Sequence, residues 1–205
     1  MATASIVKTA SAQGKTFSYA LSQTTDGALV KDPTLAAAKG GTLTTRTSDT
    51  AGTLTMSSGH GITDGQVIDI YWSTGQVTSA TVGTVATNSV PFTGATGPVL
   101  PAASTAVTVM VQQSEAFSFL DANLAGLFVG AGGVACSATF KKGDGTIVGT
   151  VRVNAAASGA TNYKDYIWDE EDGSTIPVSD DVATVHLTHG DSSSSRQVNV
   201  VAMVN

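Results

Sequence analysis

The chain predicts an all-β protein: an N-terminal arm, a small β-barrel and an antiparallel β-sandwich-like unit. Three features of its 205 residues carry that prediction. First, Thr, Ser, Ala, Val and Gly contribute 30, 21, 28, 23 and 22 residues, 124 in all. Thr and Val suit the pleated surface of a strand, and Gly and Ser supply turns. Second, short stretches of alternating apolar and polar residues recur between clusters of Gly, Asn, Asp and Ser. Third, charged residues make up 13% of the chain, about half the usual share of roughly 25%. That scarcity disfavours a helical bundle, a coiled coil and a charged disordered tail. Hydrophobic residues at 41% with aromatics at 6% give a core built from small side chains.

Residues 1–40 read as an extended arm. Ser5-Ile6-Val7-Lys8 and Lys15-Thr16-Phe17-Ser18-Tyr19-Ala20-Leu21 can each add a short strand to a sheet. Asp32 as N-cap, Pro33 as first helical residue and Gly40 as stop predict one short helix between them. Two turns of helix do not stand alone in water, so this segment has to dock on its own body or on a neighbour.

Residues 41–112 read as the small β-barrel. Alternation begins at Gly41 and is clear over 52–56, and the sequence Ser57-Ser58-Gly59-His60-Gly61 breaks it. Further strands are expected over 66–72, 76–85, 89–93 and 105–112. Five short strands at this spacing suggest closure into a barrel. No charged residue occurs from Ile70 to Ser114, so part of the outer face is expected to be covered by other protein.

Residues 113–205 read as the sandwich-like unit. The alternation at Ala116-Phe117-Ser118-Phe119-Leu120 fits a strand, and a helix over 114–125 fits the same residues. Strands over 134–141 and 146–153 flank Lys142-Gly143-Asp144-Gly145, whose Asp-Gly step suits the tight turn of a hairpin. A second hairpin is expected from 182–187 and 197–203, with the last strand tying the C-terminus into a sheet. Tyr163-Lys164-Asp165-Tyr166-Ile167-Trp168 reads as a short helix plugging one end.

Charge limits the partners. The net charge is −6, and no Lys or Arg lies between Arg46 and Lys141. A nucleic-acid interface needs a cationic stripe, which this chain does not supply. No apolar run reaches the 18 residues of a membrane span. The N-terminus lacks the basic-then-apolar pattern of a secretory signal, so synthesis in the cytoplasm is expected.

Few residues offer chemistry. Cys136, the single cysteine, lies in a small-residue strand and reads as a core thiol. His60 sits between two glycines as a turn residue. His186 and His189, three apart on a strand, fall on opposite faces and make a poor chelate. No cluster offers the three or four ligands of zinc, and no nucleophile elbow, His-Glu-x-x-His or phosphate loop occurs. No cofactor is expected. Seven of the 16 carboxylates lie within residues 165–181, including Asp169, Glu170, Glu171 and Asp172. These four read as a solvated acidic loop, with a calcium site as the alternative, although the alternating ligand spacing of a helix-loop-helix site is missing.

Gly59-His60-Gly61-Ile62-Thr63-Asp64-Gly65-Gln66-Val67-Ile68-Asp69-Ile70 resembles a pattern of tailed-phage virion structural proteins. That pattern is His-Gly-Leu/Ile, two residues, Gly-Asp/Gln and an alternating strand. Residues 82–90, 100–109 and 182–191 resemble the same family more loosely. The turn residues that carry the likeness are Gly59, His60, Gly61, Ile62 and Gly65, with Ile62 expected to drop into the barrel. The resemblance implies a barrel type and a place in a virion, and it brings no catalytic residue. The expected role is a non-enzymatic capsid decoration or cement protein, bound to the major capsid protein or other virion proteins. Such a protein would be a homo-oligomer, with a trimer favoured. A tail-tube, tail-tip or fibre component is the alternative, as is a glycan-binding surface module using Tyr71-Trp72 or Tyr163, Tyr166 and Trp168.

Overall fold

The computed structural model describes residues 3–10, 15–22, 28–31, 33–116, 124–155, 163–167 and 182–204. Among these residues the protein is all-β, as the composition predicts, and contains no helix. No helix of the described residues is long and apolar enough to cross a membrane.

Strands β1 (Thr3–Ala10) and β2 (Lys15–Ser22) form a two-stranded antiparallel sheet of their own, in register from Thr3 opposite Ser22 to Ala10 opposite Lys15. Strands β3 (Ala28–Lys31) and β4 (Thr34–Leu35) follow. The short helix expected after Asp32 is not there; Asp32 itself lies outside the described residues. In its place β4 pairs with Arg196–Gln197, Leu35 and Ala38 enter a hydrophobic core, and the Ala38 N–H donates to Asp191 O at 2.8 Å. Tertiary pairing outweighs the local helix signals, as it commonly does for two turns.

The barrel closes from β5 (Lys39–Arg46), β6 (Gly52–Met56), β7 (Val67–Trp72), β8 (Gly75–Val82), β9 (Ser89–Thr93) and β10 (Thr105–Val111). Its strand order is β10-β5-β6-β9-β8-β7, returning to β10. There are therefore six strands where the sequence suggested five. The additional one, β5, begins at Lys39, where a helix end was expected. Gly40 is not a helix stop but part of β5, and Gly41 beside it is a point of close approach: a Cβ there would lie 2.6 Å from Met56 Sδ and 2.9 Å from Thr55 O. Inward positions alternate along each strand and fill the barrel with Leu43, Leu54, Ile68, Ile70, Val90 and Phe92, each at most 1% exposed.

Eight further strands complete the chain: β11 (Gln113–Ala116), β12 (Leu124–Gly130), β13 (Cys136–Lys142), β14 (Ile147–Val153), β15 (Tyr163–Ile167), β16 (Val182–His189), β17 (Arg196–Gln197) and β18 (Asn199–Val204). Seven of them, with β3, build two four-stranded sheets, β11-β16-β13-β14 and β15-β12-β18-β3, while β17 pairs with β4. One core joins the two sheets: Cys136, Phe140, Val151 and Leu187 from the first pack with Val129 and Val200 from the second. The β13–β14 hairpin forms as expected, with Gly145 at φ 88° and the Thr146 N–H donating to Asp144 Oδ1 at 2.9 Å.

Two expectations fail in this half. Strands β16 and β18 do not form a hairpin, because β16 pairs with β11 and β13 while β18 pairs with β12 and β3. The 163–167 segment is a strand paired with β12, not a helical plug. Gln113–Ala116 is strand, while the rest of the ambiguous 114–125 stretch up to residue 123 lies outside the described residues.

Candidate functional site

The barrel-turn motif between β6 and β7 is hydrogen-bonded within itself and to the β8–β9 connection. Gly59, Gly61 and Gly65 sit at φ 75°, 72° and 77°, backbone that side-chain-bearing residues seldom adopt. The Ile62 N–H donates to His60 Nδ1 at 3.0 Å, so Nδ1 is unprotonated and the proton resides on Nε2, which faces Thr87 O at 3.0 Å. Asp64 Oδ1 accepts from the Val85 N–H at 2.8 Å, and Gln66 Oε1 accepts from the Thr63 N–H at 2.9 Å. Ile62 is 4% exposed within the barrel core, as its place in the motif implied. These groups satisfy one another, and His60 serves as a clasp across the β6–β7 and β8–β9 connections.

A second cluster, which the sequence reading did not single out, lies where the barrel meets the sandwich. Asp69 is fully buried on β7, where the β7–β8 register shifts between Ile68 and Ile70. Opposite the shift, Ser79 takes a φ of 58° and turns its N–H onto Asp69 Oδ1 at 2.8 Å. Such an irregularity re-aims groups that a regular ladder would consume. Gln112 Nε2 donates to the same oxygen at 3.0 Å. From the sandwich, the Ser137 and Thr188 hydroxyls each donate to Oδ2 at 2.5 Å. A buried carboxylate is tolerated only with such a donor set.

Proton counting orients the rest of this cluster. Ser137 and Thr188 each commit their single hydroxyl proton to Asp69, so Tyr71 O–H is the donor to Thr188 Oγ1 at 2.6 Å. Burial, and then the charge of Asp69, push the Tyr71 pKa well above its usual value and keep the phenol protonated. Ser137 and Thr188 are 0% exposed, so neither hydroxyl meets a substrate in this arrangement. The polar seam extends outward through Gln76 Nε2 to Val153 O at 3.0 Å and Arg152 Nη2 to Thr78 Oγ1 at 2.7 Å.

Beside this seam an open groove of about 380 Å³ is lined by Trp72, Val107, Val134, Ala135, Ala155 and Asp191, among others. Trp72 is half-buried at its edge. Asp191 does not offer a free carboxylate to it: Ser193 N–H and Oγ, Ser194 Oγ and Arg196 Nε all donate to its oxygens. That set, led by the Ser193 hydroxyl, holds the Asp191 pKa below its usual value.

The histidines do not converge. His189 is buried and His186 half-buried; burial is the main cause lowering both pKa values, with Lys141 adding to the effect on His186. Cys136 is buried in the sandwich core, and desolvation pushes its thiol up to about 12. No group of three His, Cys, Asp or Glu able to hold a metal occurs among the described residues. Asp169, Glu170, Glu171 and Asp172 lie outside the described residues, as does Trp168; of Tyr163 and Tyr166, only the strand they occupy is described. The signal that could have located the buried cluster is in the sequence: one carboxylate, Asp69, interrupts the apolar strand Val67-Ile68-Asp69-Ile70-Tyr71. Comparison of the chain with protein-family models, curated proteins and solved structures returns no match.

Proposed function

We propose that the chain is a non-enzymatic structural protein of a tailed-phage virion, acting as a capsid decoration or cement protein that works by burying surface against the shell and neighbouring copies. The observation that carries this reading is the chemistry of the barrel's outer positions from residue 70 onward. From residue 70 to 114 every exposed position is uncharged, and the 94–104 loop presents Pro98 and Val99, the latter 54% exposed. A neutral, hydroxyl-rich and partly apolar face costs little to desolvate, so it suits a permanent contact better than open solvent. Two further features support the reading. The motif from Gly59 to Gly65 that resembles the virion family connects β6 and β7 of a closed barrel. The β1–β2 hairpin pairs with no other strand among the described residues, and two strands alone are marginal in water.

The test is the copy number of this protein in purified particles, by quantitative mass spectrometry against the major capsid protein. A ratio that tracks the shell is the expected result. A low number that tracks a tail fraction would move the assignment to tube, tip or fibre. Absence from particles would overturn the virion reading. The half-buried Trp72 at the groove would then favour a glycan-binding module, in which an indole face stacks on a sugar ring.

A further inference from the structure

We infer that Asp69 latches the barrel to the sandwich, so that the two open together as one folding unit in a single relative orientation. Asp69 belongs to the barrel by strand, yet half of its donors belong to the sandwich: Ser79 and Gln112 hold Oδ1, while Ser137 of β13 and Thr188 of β16 hold Oδ2. Parting the two units strips both Oδ2 donors at once and removes the acceptor from Tyr71.

The apolar packing crosses the same boundary. Along β10, Val107 and Val109 belong to the barrel core, whereas Met110 belongs to the sandwich core. One strand therefore has a face in each core, which brings the two cores side by side at the seam that Asp69 holds. Gly190 completes the seam: its backbone lies so close to the Tyr71 ring that a Cβ would come within 2.9 Å. Its carbonyl accepts from Thr108 Oγ1 at 2.8 Å. Hydrophobic contact alone tolerates sliding, whereas a carboxylate with four aimed donors accepts one geometry. The latch thus specifies orientation as well as attachment.

The experiment is hydrogen exchange read by mass spectrometry across a urea series on the full chain. It compares peptides covering β6–β7 with peptides covering β13–β14. In the natural protein both sets should lose protection at one urea concentration. In Asp69→Ala, and in the pair Ser137→Ala with Thr188→Val, which removes only the donors that come from the sandwich, the two midpoints should separate. Should Asp69→Ala not fold, the hydroxyl pair decides, since it leaves the barrel core and its carboxylate in place. Separate midpoints in the natural protein, or coincident midpoints in the folded variants, would overturn the latch.

Discussion

Among the described residues every strand of the barrel has a hydrogen-bonded neighbour on both sides, whereas the sandwich sheets end in four edge strands, β3, β11, β14 and β15. The barrel is drawn from one continuous stretch, β5 to β10. The sandwich is drawn from both ends of the chain, with Lys31 of β3 opposite Val200 of β18. Closure removes strand edges, and three of the six barrel pairings, β5–β6, β7–β8 and β8–β9, join strands consecutive in sequence. The sandwich has to wait for its last strand. The difference teaches where the protein is self-sufficient and where it depends on long-range pairing, and the Asp69 seam ties the dependent half to the independent one.

The largest expected effects test the two cores against each other. Phe92, 1% exposed, fills the barrel, and Phe140, 0% exposed, fills the sandwich. Either change to Ala should cost about 3–5 kcal/mol in urea unfolding. If the halves are coupled, each variant lowers the midpoint of both. Gly190→Ala acts at the seam itself: the new methyl would meet Tyr71 carbons at 2.9–3.1 Å. Because Tyr71 is buried and held by its hydroxyl, the ring cannot retreat, and about 1–3 kcal/mol should be lost.

Acidity should weaken the protein through the two sandwich histidines. Burial holds the folded His189 and His186 pKa values below the ordinary 6.5, so the unfolded chain binds protons first as pH falls. Their contribution is intact above about 6.5 and declines below it, until the folded-state values are passed. The urea midpoint should therefore be lower at about pH 5 than at about pH 8, and a flat profile would contradict the burial argument. His60→Ala should cost about 1 kcal/mol in a thermal melt, since its two hydrogen bonds close an exposed turn. The smallest effect is expected for Arg46→Ala, which loses the surface pair with Asp49 and should shift stability by at most about 0.5 kcal/mol.

The same contrast explains what could be read from the sequence. The barrel is drawn from one continuous stretch with half of its pairings between consecutive strands, so alternation and turn glycines located β6 to β10, and the His60 turn announced itself. The β5 strand was hidden because Lys39-Gly40-Gly41 mimics a helix end, although Gly41 is small to let β5 lie against Met56. In the sandwich, period-two alternation identifies a strand but not its partner. Residues 182–187 and 197–203 therefore read as a hairpin, although they belong to opposite sheets. Asp69 was visible as a residue but not as a site, because Ser137 and Thr188 come to it across 68 and 119 positions of chain.

Cys136 gives this architecture a chemical clock. It is the only cysteine in the chain, fully buried, with its thiol raised to about 12 by desolvation. Alkylation needs both access and thiolate, and the closed sandwich withholds both. Each opening event that exposes β13 can then leave one irreversible mark. The rate at which the intact mass gains a single adduct counts those events in the unmodified protein, with no engineered probe.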